Sequence, residues 1–484
     1  MNRRFYLLAV IIGVICATGF FYAEQQEHYL APANPAPPIV TENLFPHPDL
    51  TTYKMELYLD INDRTLYGTT AINTVNTTGK TLKELWFTAY PNAFKDAKLT
   101  PAPSGAYYSG FSEGWLKIDS LRVNEENASY QGEGIAGQAV LSHSLLPQDE
   151  LNIEISWRVK IPKLAYRFGF KNGIYMLGNF YPALNVYDEQ GWHNSYNSKF
   201  GDPFCLPAAD YQVNISLPEA YNMVSNGDIT DVWAEDIGRT IYQVNANKVR
   251  EFTLVVTYAY QEINQKIKGH HIKCCFPSNN NDIALQIVED SGKILAYYAT
   301  LIGSYSYPDF KIVFVPMKGF QGMEYSGLIF LRQELLNPNY DEKERQFLLA
   351  HEIAHQWCYA MIGNDQLREP WLDEGLANWL AYKYLEKYRG QNLPNVNNFK
   401  DGINLGKQLS EMRSTQDYYR TAYDGGAAFW LGLEKELGEE TVVNILRTYL
   451  AQYKFRIATR QDLFSIINQE APRNMDYYFS KWFK

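Results

Sequence analysis

The sequence predicts an α+β protein in which an all-β amino-terminal region precedes a mainly helical carboxyl-terminal region. From about residue 51, apolar residues alternate with mostly polar ones, as in strands with one buried face. From Gln346 to the end at Lys484 the pattern is mostly helical. Strands and helices that are segregated along a chain are typical of α+β folds. With 484 residues, the chain is long enough for two or three domains.

The composition is that of a globular protein and excludes one class of partner. Hydrophobic residues make up 46% of the chain and charged residues 20%, and the net charge at pH 7 is −10. Nucleic-acid binding depends on neutralising phosphates with Lys and Arg, and no basic run offsets the negative charge. We therefore expect no nucleic-acid partner. No pattern in the sequence indicates an oligomeric state.

Residues 1–23 are predicted to be a membrane anchor or a signal segment. Arg3 and Arg4 precede an apolar run over residues 5–23. At ~1.5 Å per residue this run would span roughly 28 Å, close to the ~30 Å hydrocarbon core of a bilayer. A cleaved secretory signal is the alternative, because residues 17–19 offer a small-residue cleavage site. We favour an anchor because the apolar run continues past that site, and in both cases the body is exported.

A linker and an all-β domain are predicted to follow. Residues 24–50 contain a proline-rich stretch that is typical of a stiff spacer. Residues 51–262 form the predicted all-β domain, and we expect its sheets to pack face to face. Its candidate strands, separated by turn-forming residues, are residues 51–61, 66–75, 151–161, 211–217 and 252–258.

Residues 263–484 are predicted to form a mainly helical domain. Residues 282–302 carry an apolar stripe at helical spacing, and residues 311–316 are typical of a short strand. Residues 459–462 resemble an amino-terminal helix cap before Leu463.

The most specific pattern in this domain is the HEIAH sequence at residues 351–355. His351 and His355 are four residues apart, so on a helix their imidazoles project from one face and can share a metal ion. Glu352 lies between them. Eighteen residues separate His355 from Glu374, which lies near the start of a second predicted helix and would be the third ligand. The alternative is a helix with two partly buried histidines and a surface glutamate.

Two imidazoles and one carboxylate predict one zinc ion with an open coordination position, as in catalytic rather than structural sites. Zinc held in this way lowers the pKa of a water molecule. Glu352 can accept the proton of this water, which then attacks a carbonyl group. The oxyanion that forms needs a hydrogen-bond donor in addition to the metal. The residues themselves do not single out this donor among the many tyrosines.

These motifs resemble those of the gluzincin zinc aminopeptidase family, of the aminopeptidase N and leukotriene hydrolase type. The HEIAHQW stretch, the gap to Glu374 and the surrounding WLDEG sequence carry the resemblance. It implies an amino-terminal saddle-like β sandwich followed by a thermolysin-like catalytic domain. Shorter signatures at Gly68, residues 90–92 and residues 225–227 extend it over most of the chain. We expect a short form without the large carboxyl-terminal helical domain of many members, because the chain ends soon after the catalytic motifs.

A second segment resembles the family's Gly-Ala-Met-Glu-Asn exopeptidase loop. Gly322 takes the place of the Ala, and Met323 and Glu324 match the next two residues. The resemblance implies that these three residues bind substrate and that Glu324 pairs with its free α-ammonium group. The alternative for Glu324 is a surface acid after a glycine turn. Gln321 and Tyr325 occupy the positions where the family's loop has its first Gly and its final Asn. We therefore expect the pocket for the first substrate residue to differ from that of the family.

A third segment, residues 423–427, resembles the family's Tyr-x-Lys-Gly-Ala sequence, with Gly425 in the place of Lys. The resemblance implies that Tyr423 donates to the oxyanion, and the alternative is one more packed aromatic residue. Asp373 either orients an imidazole ligand or serves as an acid at the start of a helix.

The resemblance therefore implies a zinc-dependent aminopeptidase that hydrolyses amino-terminal peptide bonds with a metal-activated water, Glu352 as general base and Tyr423 as oxyanion stabiliser. The alternative is a zinc hydrolase of the same fold with endopeptidase or epoxide hydrolase specificity. A binding protein that keeps zinc without catalysis is a third hypothesis, although a scaffold needs neither Glu352 nor Tyr423. Peptides are the expected substrates. The body is expected outside the cytoplasm, anchored to the membrane or secreted after signal cleavage.

Overall fold

The computed structural model describes residues 50–132, 134–235, 238–277, 281–394 and 403–483. The predicted anchor and nearly all of the predicted linker lie outside these residues. Among the helices of this part of the chain, none is both long enough and apolar enough to cross a membrane.

The first half of the described chain consists of strands. Each of the five candidate strands of the sequence overlaps an observed one. In chain order the strands are β1 (Thr51–Asp60), β2 (Thr65–Val75), β3 (Leu82–Thr88), β4 (Trp115–Val123), β5 (Glu126–Asn127), β6 (Ser129–Gln131), β7 (Ala136–Leu145), β8 (Glu150–Lys160), β9 (Phe168–Lys171), β10 (Ile174–Leu177), β11 (Ala183–Leu184), β12 (Tyr187–Asp188), β13 (Gly191–Trp192), β14 (Ala209–Pro218), β15 (Asn222–Ser225), β16 (Asp228–Glu235), β17 (Arg239–Val249) and β18 (Leu254–Thr257). Short 3-10 turns cover Tyr90–Phe94 and Ser104–Ala106.

These strands form one large sheet and several smaller ones. The large sheet has the order β16-β17-β14-β1-β2-β8-β4-β5, in which β1 and β14 are parallel and the other neighbours antiparallel. Two four-stranded sheets have the orders β15-β18-β10-β9 and β11-β3-β7-β6. A single apolar cluster joins the sheets, with Leu57 from β1, Phe87 from β3 and Leu254 from β18 among its buried members.

Gly68 on β2 shows why this position of the large sheet has no side chain. A Cβ atom there would lie 2.3 Å from Cζ2 of Trp157, which is buried on the neighbouring strand β8. The Trp157 indole nitrogen donates a hydrogen bond of 2.8 Å to the hydroxyl of Thr70. The signature at Gly68 therefore reflects the packing of a tryptophan across the strand.

The second half combines a mixed sheet with helices. The sheet has the order β19-β20-β21-β23-β22, so β22 lies at its edge. The predicted boundary between residues 262 and 263 falls within β19. The elements are β19 (Tyr260–Ile267), β20 (His270–Pro277), α1 (Asn281–Leu301), β21 (Asp309–Val315), β22 (Gly322–Met323), β23 (Leu328–Arg332), α2 (Glu342–Ala354), α3 (Trp371–Arg389), α4 (Thr415–Tyr418), α5 (Gly426–Leu437), α6 (Glu439–Tyr453), α7 (Arg460–Glu470) and α8 (Asp476–Phe479). A π-helix covers Tyr419–Gly425, and 3-10 turns cover Gln333–Leu336 and Leu409–Glu411.

The predicted α+β class is confirmed, together with details of the helical half. The helix predicted over residues 282–302 is α1, and the strand predicted over residues 311–316 is β21. The predicted cap is a capping box, because the Thr459 hydroxyl accepts from the backbone N–H of Asp462 and the Asp462 carboxylate accepts from that of Thr459.

Arg250, which directly follows β17, links the β region to the segment after α2 through hydrogen bonds. Its guanidinium is buried and donates to the carbonyl oxygens of Tyr359 at 2.9 Å and of Met361 and Leu206 at 3.1 Å. A Cβ atom on Gly363 would lie 2.4 Å from the guanidinium carbon, so this glycine gives the arginine room. The end of the histidine-bearing helix is thus held by the β region.

Candidate active site

Helix α2 presents both predicted histidines on one side. Asp341 caps its start by accepting a hydrogen bond of 2.9 Å from the backbone N–H of Glu344. The helix ends at Ala354, so His355 is its capping residue. His355 keeps helical dihedral angles, with φ −60° and ψ −14°, and the Nε2 atoms of His351 and His355 lie 3.1 Å apart.

Helix α3 brings Glu374 to the two imidazoles. Its Oε2 atom lies 3.3 Å from Nε2 of His351 and 3.3 Å from Nε2 of His355. The other oxygen, Oε1, accepts hydrogen bonds from the hydroxyls of Tyr423 at 2.6 Å and Tyr418 at 3.4 Å. Oε2 is buried without a hydrogen-bond donor, which leaves this oxygen for a cation.

The three side chains fit zinc. Ligand atoms held at about 2.0–2.1 Å from one zinc ion with tetrahedral angles lie about 3.3 Å from one another. The three atoms of His351, His355 and Glu374 are 3.1 to 3.3 Å apart and belong to buried residues. Two imidazoles and a carboxylate are a donor set typical of catalytic zinc.

The surroundings of Glu374 favour its charged carboxylate form, which can bind a cation. Burial opposes its charge, but the neighbouring imidazoles of His351 and His355 hold the pKa of this carboxyl well below its ordinary value. Burial lowers the pKa of His351. For His355, burial is outweighed by the carbonyl of Cys358, which accepts from Nδ1 at 3.0 Å, and by Glu374, so its pKa is raised. Metal binding would therefore release a proton from His355.

Asp373 supports Glu374 rather than an imidazole. Its carboxylate accepts hydrogen bonds from Gln366 at 2.8 Å, from Asn364 at 3.2 Å and from the backbone N–H of Glu374 at 2.9 Å. Burial and the charge of Glu374 raise the pKa of Asp373 to about 7. Gln366 and Asn364, which the sequence analysis missed, thus hold the residue next to the third candidate ligand.

Glu352 lies under the edge strand β22. A Cβ atom on Gly322 would be 2.2 Å from its carboxyl carbon, so the strand backbone covers the carboxyl group. The Oε2 atom of Glu352 is buried and has no hydrogen-bond partner, and burial raises the pKa of the group to about 8. A carboxylate with a raised pKa is a stronger proton acceptor than an exposed one.

The exopeptidase-like loop offers one charged side chain to the site. Glu324 follows β22, and burial together with the charge of Asp202 raises its pKa. Met323 is buried in an apolar cluster with Phe330, so its backbone is the part available to a ligand. Tyr325, which departs from the family pattern, packs in the same cluster with its ring centroid 4.9 Å from that of Phe330. The departure therefore fills the core beneath the loop.

Tyr423 lies on the π-helix, a feature that the sequence analysis did not predict. Its ring stacks on the imidazole of His351, with 5.6 Å between ring centroids and 20° between planes. Tyr418 precedes it by five residues, the span of one π-helical hydrogen bond, and both hydroxyls reach Glu374. The π-turn therefore brings a second tyrosine to the site that an α-helical pattern would not have indicated.

Gln356 is another residue that the sequence analysis did not single out. Its side-chain amide donates to the carbonyl oxygen of Tyr325 at 3.1 Å and accepts from the backbone N–H of Gly327 at 2.7 Å. It thereby joins the end of α2 to the loop that carries Glu324. Its position directly after His355 is the signal that could have identified it.

A cavity of about 630 Å³ opens beside Tyr423 between the β region and the helices. Asp202 also lines it and forms a buried ion pair with Arg167, whose guanidinium lies 4.5 Å from the ring centroid of Phe320. No sequence pattern indicated Asp202. Most of the large side chains around the cavity are aromatic, among them Tyr107, Phe111, Tyr166, Phe200, Phe320 and Tyr419.

Curated relatives with sequence similarity are aminopeptidases and a hormone-degrading enzyme. Aminopeptidase M1-B of Oryza sativa subsp. japonica is 26% identical over 231 residues, which cover 43% of this chain and 26% of the relative. The thyrotropin-releasing hormone-degrading ectoenzyme of Homo sapiens is 24% identical over 371 residues, 70% of this chain and 34% of the relative. The chain thus spans about a quarter to a third of the length of these relatives.

Solved structures show the same fold. A mutant of an M1 zinc metallopeptidase from Deinococcus radiodurans superposes with a TM-score of 0.63 at 14% identity, over 90% of this chain and 94% of that one. Another mutant structure of an M1 zinc metallopeptidase from this organism, with a TM-score of 0.61 and 14% identity, is bound to a Tyr-Ser-Ala substrate and covers 87% and 90% of the two chains.

Residues 287–482 match the peptidase family M1 domain and contain both histidines, Glu352, Glu374 and Tyr423. Together with the similar aminopeptidases and the shared fold, this match supports membership of the gluzincin aminopeptidase family.

Proposed function

We propose that the chain is a zinc-dependent aminopeptidase that hydrolyses amino-terminal peptide bonds. The observation that carries this proposal is the convergence of His351, His355 and Glu374 at zinc-ligand spacing. Glu352 and Tyr423 flank the same point. One zinc ion is expected, held by these three ligands.

The residues around the ligands can carry out peptide hydrolysis. Zinc, when bound, activates the attacking water and polarises the scissile carbonyl. Glu352 accepts the proton of that water and can return it to the leaving amine. Tyr423 keeps its ring against His351 while its hydroxyl turns from Glu374 to the oxyanion, where it donates a hydrogen bond.

Peptide substrates can bind along the edge of the mixed sheet. The strand β22 contributes the backbone of Gly322 and Met323, which an extended peptide can pair with as an additional strand. Glu324, which directly follows this strand, pairs with the α-ammonium of the substrate in this proposal. This pairing fixes the scissile bond after the first residue. The alternative of another specificity is motivated by Tyr325 and by the expected absence of the large carboxyl-terminal domain. The burial of the Tyr325 side chain beneath the loop removes the first of these grounds.

The test compares hydrolysis of an unblocked aminoacyl substrate by the zinc-loaded wild type, the chelated wild type and Glu352→Gln. We expect loss of hydrolysis on chelation and a loss of about 1,000-fold or more for Glu352→Gln with its zinc retained, because a general base alone contributes about 100- to 10,000-fold. Glu342→Gln, at the other end of α2, is the matched control and should keep full activity. Full activity of Glu352→Gln with zinc bound would refute the mechanism, and internal cleavage alone of a longer unblocked peptide by the wild type would favour an endopeptidase.

We further propose that the body lies outside the cytoplasm, held at a membrane by residues 5–23. The apolar run behind Arg3 and Arg4 supports this proposal. In cells that express the full chain, we expect the protein in the membrane fraction with an intact amino terminus. A mature amino terminus beyond residue 17 would indicate a cleaved signal, and recovery of the intact chain from the cytosol would contradict export.

A further inference from the structure

His193 lies outside the zinc site in a buried cluster at the junction of the β region and the helical region. It follows the hairpin of β12 and β13, and its side chain is almost fully buried. Its Nδ1 atom lies 2.6 Å from a carboxylate oxygen of Asp365, and its Nε2 atom lies 2.6 Å from a carboxylate oxygen of Asp188. Each ring nitrogen therefore faces an acid, one from each region.

This geometry determines the protonation state of the imidazole. A neutral imidazole has one N–H donor, whereas the imidazolium form has two. Carboxylates accept hydrogen bonds, so two N···O distances of 2.6 Å favour the imidazolium form of His193, which carries an N–H at both ring nitrogens. Burial opposes its charge, but Asp365 first and then Asp188 raise its pKa against the effect of Arg368.

Asp365 connects this cluster to the zinc site. Its second oxygen accepts hydrogen bonds from the backbone N–H groups of Leu367 at 2.9 Å and Arg368 at 3.1 Å, which fixes the loop before α3. The flanking residues of this loop, Asn364 and Gln366, hold the carboxylate of Asp373 beside Glu374. A continuous set of contacts thus leads from His193 to the third candidate ligand.

The remaining charged and titratable neighbours are Arg368 and Cys205. The guanidinium of Arg368 lies 3.4 Å from Nε2 of His193 and 3.5 Å from Asp365, and it donates to Gln190 at 2.8 Å. Cys205 is buried, and burial raises the pKa of its thiol well above its ordinary value. Neither group supplies the negative charge that Asp188 and Asp365 provide.

Hydrogen bonds explain this cluster better than a second metal ion does. Atoms of His193, Cys205 and Asp365 lie within 4.8 Å of one another, as metal ligands would. The N···O distances of 2.6 Å are, however, shorter than the ~3.3 Å expected between two ligands of one zinc ion. The arginine beside them also disfavours a divalent cation.

We propose that His193 is a positioning residue, an imidazolium that clamps Asp188 of the β region to Asp365 and thereby keeps the loop before α3, and with it Glu374, in the zinc-binding geometry. The proposal rests on the zinc site of the proposed function. Loss of the proton removes the positive charge of the ion pair with Asp188, so the clamp is complete at low pH and weakens as pH rises through the pKa of His193.

The test measures zinc release to a chromogenic chelator as a function of pH, in the full-length protein and without any substrate. His193→Gln should release zinc about ten times faster or more, because loss of a supporting contact behind a ligand costs about 10- to 100-fold in metal affinity. Asp188→Asn should shift the pH at which release accelerates by about one unit downward. The zinc ligands titrate in the wild type and in the variants alike, so the difference between their release curves reports only on the His193 cluster. His143→Gln is the matched control and should change nothing, because His143 pairs with Glu126 on the surface with 81% of its side chain exposed.

A second readout keeps the proposal separate from the proposed function and from misfolding. The ring-proton resonance of His193 should titrate above pH 6.5 in metal-free wild type and at lower pH in Asp188→Asn. Because the side chain of Asp188 is 40% exposed, this substitution should not disturb folding. Identical release curves and identical titrations for wild type and Asp188→Asn would overturn the proposal. Two zinc ions per wild-type chain, reduced to one in His193→Gln, would also overturn it and make the cluster a metal site.

Discussion

The backbone of Gly322 and the carboxyl group of Glu352 are in direct contact, because a Cβ atom on Gly322 would lie 2.2 Å from the carboxyl carbon. The contact joins the edge strand β22 to helix α2. It places the proposed substrate-binding backbone and the proposed general base against one another, so neither can shift without the other.

This contact predicts that Gly322→Ala lowers kcat by about 100-fold, since a displacement of about 1 Å in a reacting group has an effect of that size. The zinc content should stay at the wild-type value because no ligand is touched. Steady-state kinetics and metal analysis of the same preparation measure both. Gly134→Ala, where an added Cβ meets nothing within 4 Å, is the control. A wild-type kcat for Gly322→Ala would show that the strand and Glu352 accommodate the Cβ that the family's loop carries at this position, so that the contact does not hold the base in place.

Tyr423→Phe should lower kcat by about 100- to 1,000-fold, the usual effect of removing one oxyanion donor. The ring stacked on His351 is kept, so the protein should fold and still bind zinc. Tyr419→Phe changes another tyrosine of the same π-helix and should leave kcat within about twofold of the wild-type value, which is a small change in activation free energy. If both variants have equal kcat values, Tyr423 is not the donor.

Glu251→Gln should stabilise the protein more at pH 8 than at pH 5. Glu251 is buried beside the hydroxyl of Tyr359, and burial raises its pKa to about 7. Between the unfolded pKa of about 4.3 and this value the folded state binds the extra proton, so its stability falls as pH rises, by roughly 4 kcal/mol in total. Thermal unfolding of both proteins across this range measures the difference. Parallel curves for the two proteins would show that Glu251 titrates normally.

The aromatic cavity beside Tyr423 predicts a preference for large apolar first residues. Burying an aromatic side chain contributes about 1.5–3 kcal/mol, which corresponds to at least a tenfold higher kcat/KM for phenylalanyl than for alanyl substrates. Phe200→Ala, which removes one wall, should reduce this ratio. Equal kcat/KM values for the two substrates would show that the first side chain does not enter this cavity.

Elements with strong local patterns could be predicted from the sequence. Alternating apolar residues located β1 and β2, and the capping box located the start of α7. Helix α2 ends at Ala354, directly before the second histidine of the motif, because the following residues turn toward the β region where Arg250 binds their carbonyl oxygens. The end of the helix thus depends on contacts between residues about a hundred positions apart, which no local sequence pattern predicts.

The same distinction applies to the site. The spacing from His351 to Glu374 reflects two helices, and the structure brings these side chains together. Asp202 and His193 act through contacts with segments distant in sequence, and Tyr418 depends on a π-turn, so the sequence did not indicate them. Tyr325 was noticed as a departure from the family pattern, but its burial against Phe330 follows from the sheet beneath the loop.

The central claim is that Glu324 receives the free α-ammonium of a peptide at a zinc site, and hydrolysis of one peptide with free and with acetylated amino termini tests it most directly. The zinc-loaded enzyme should cleave the free peptide after its first residue and the acetylated one about 10- to 100-fold more slowly, the value of one charge-assisted hydrogen bond. Glu324→Gln should lose most of this difference. Equal cleavage of both peptides by the wild type would contradict the account.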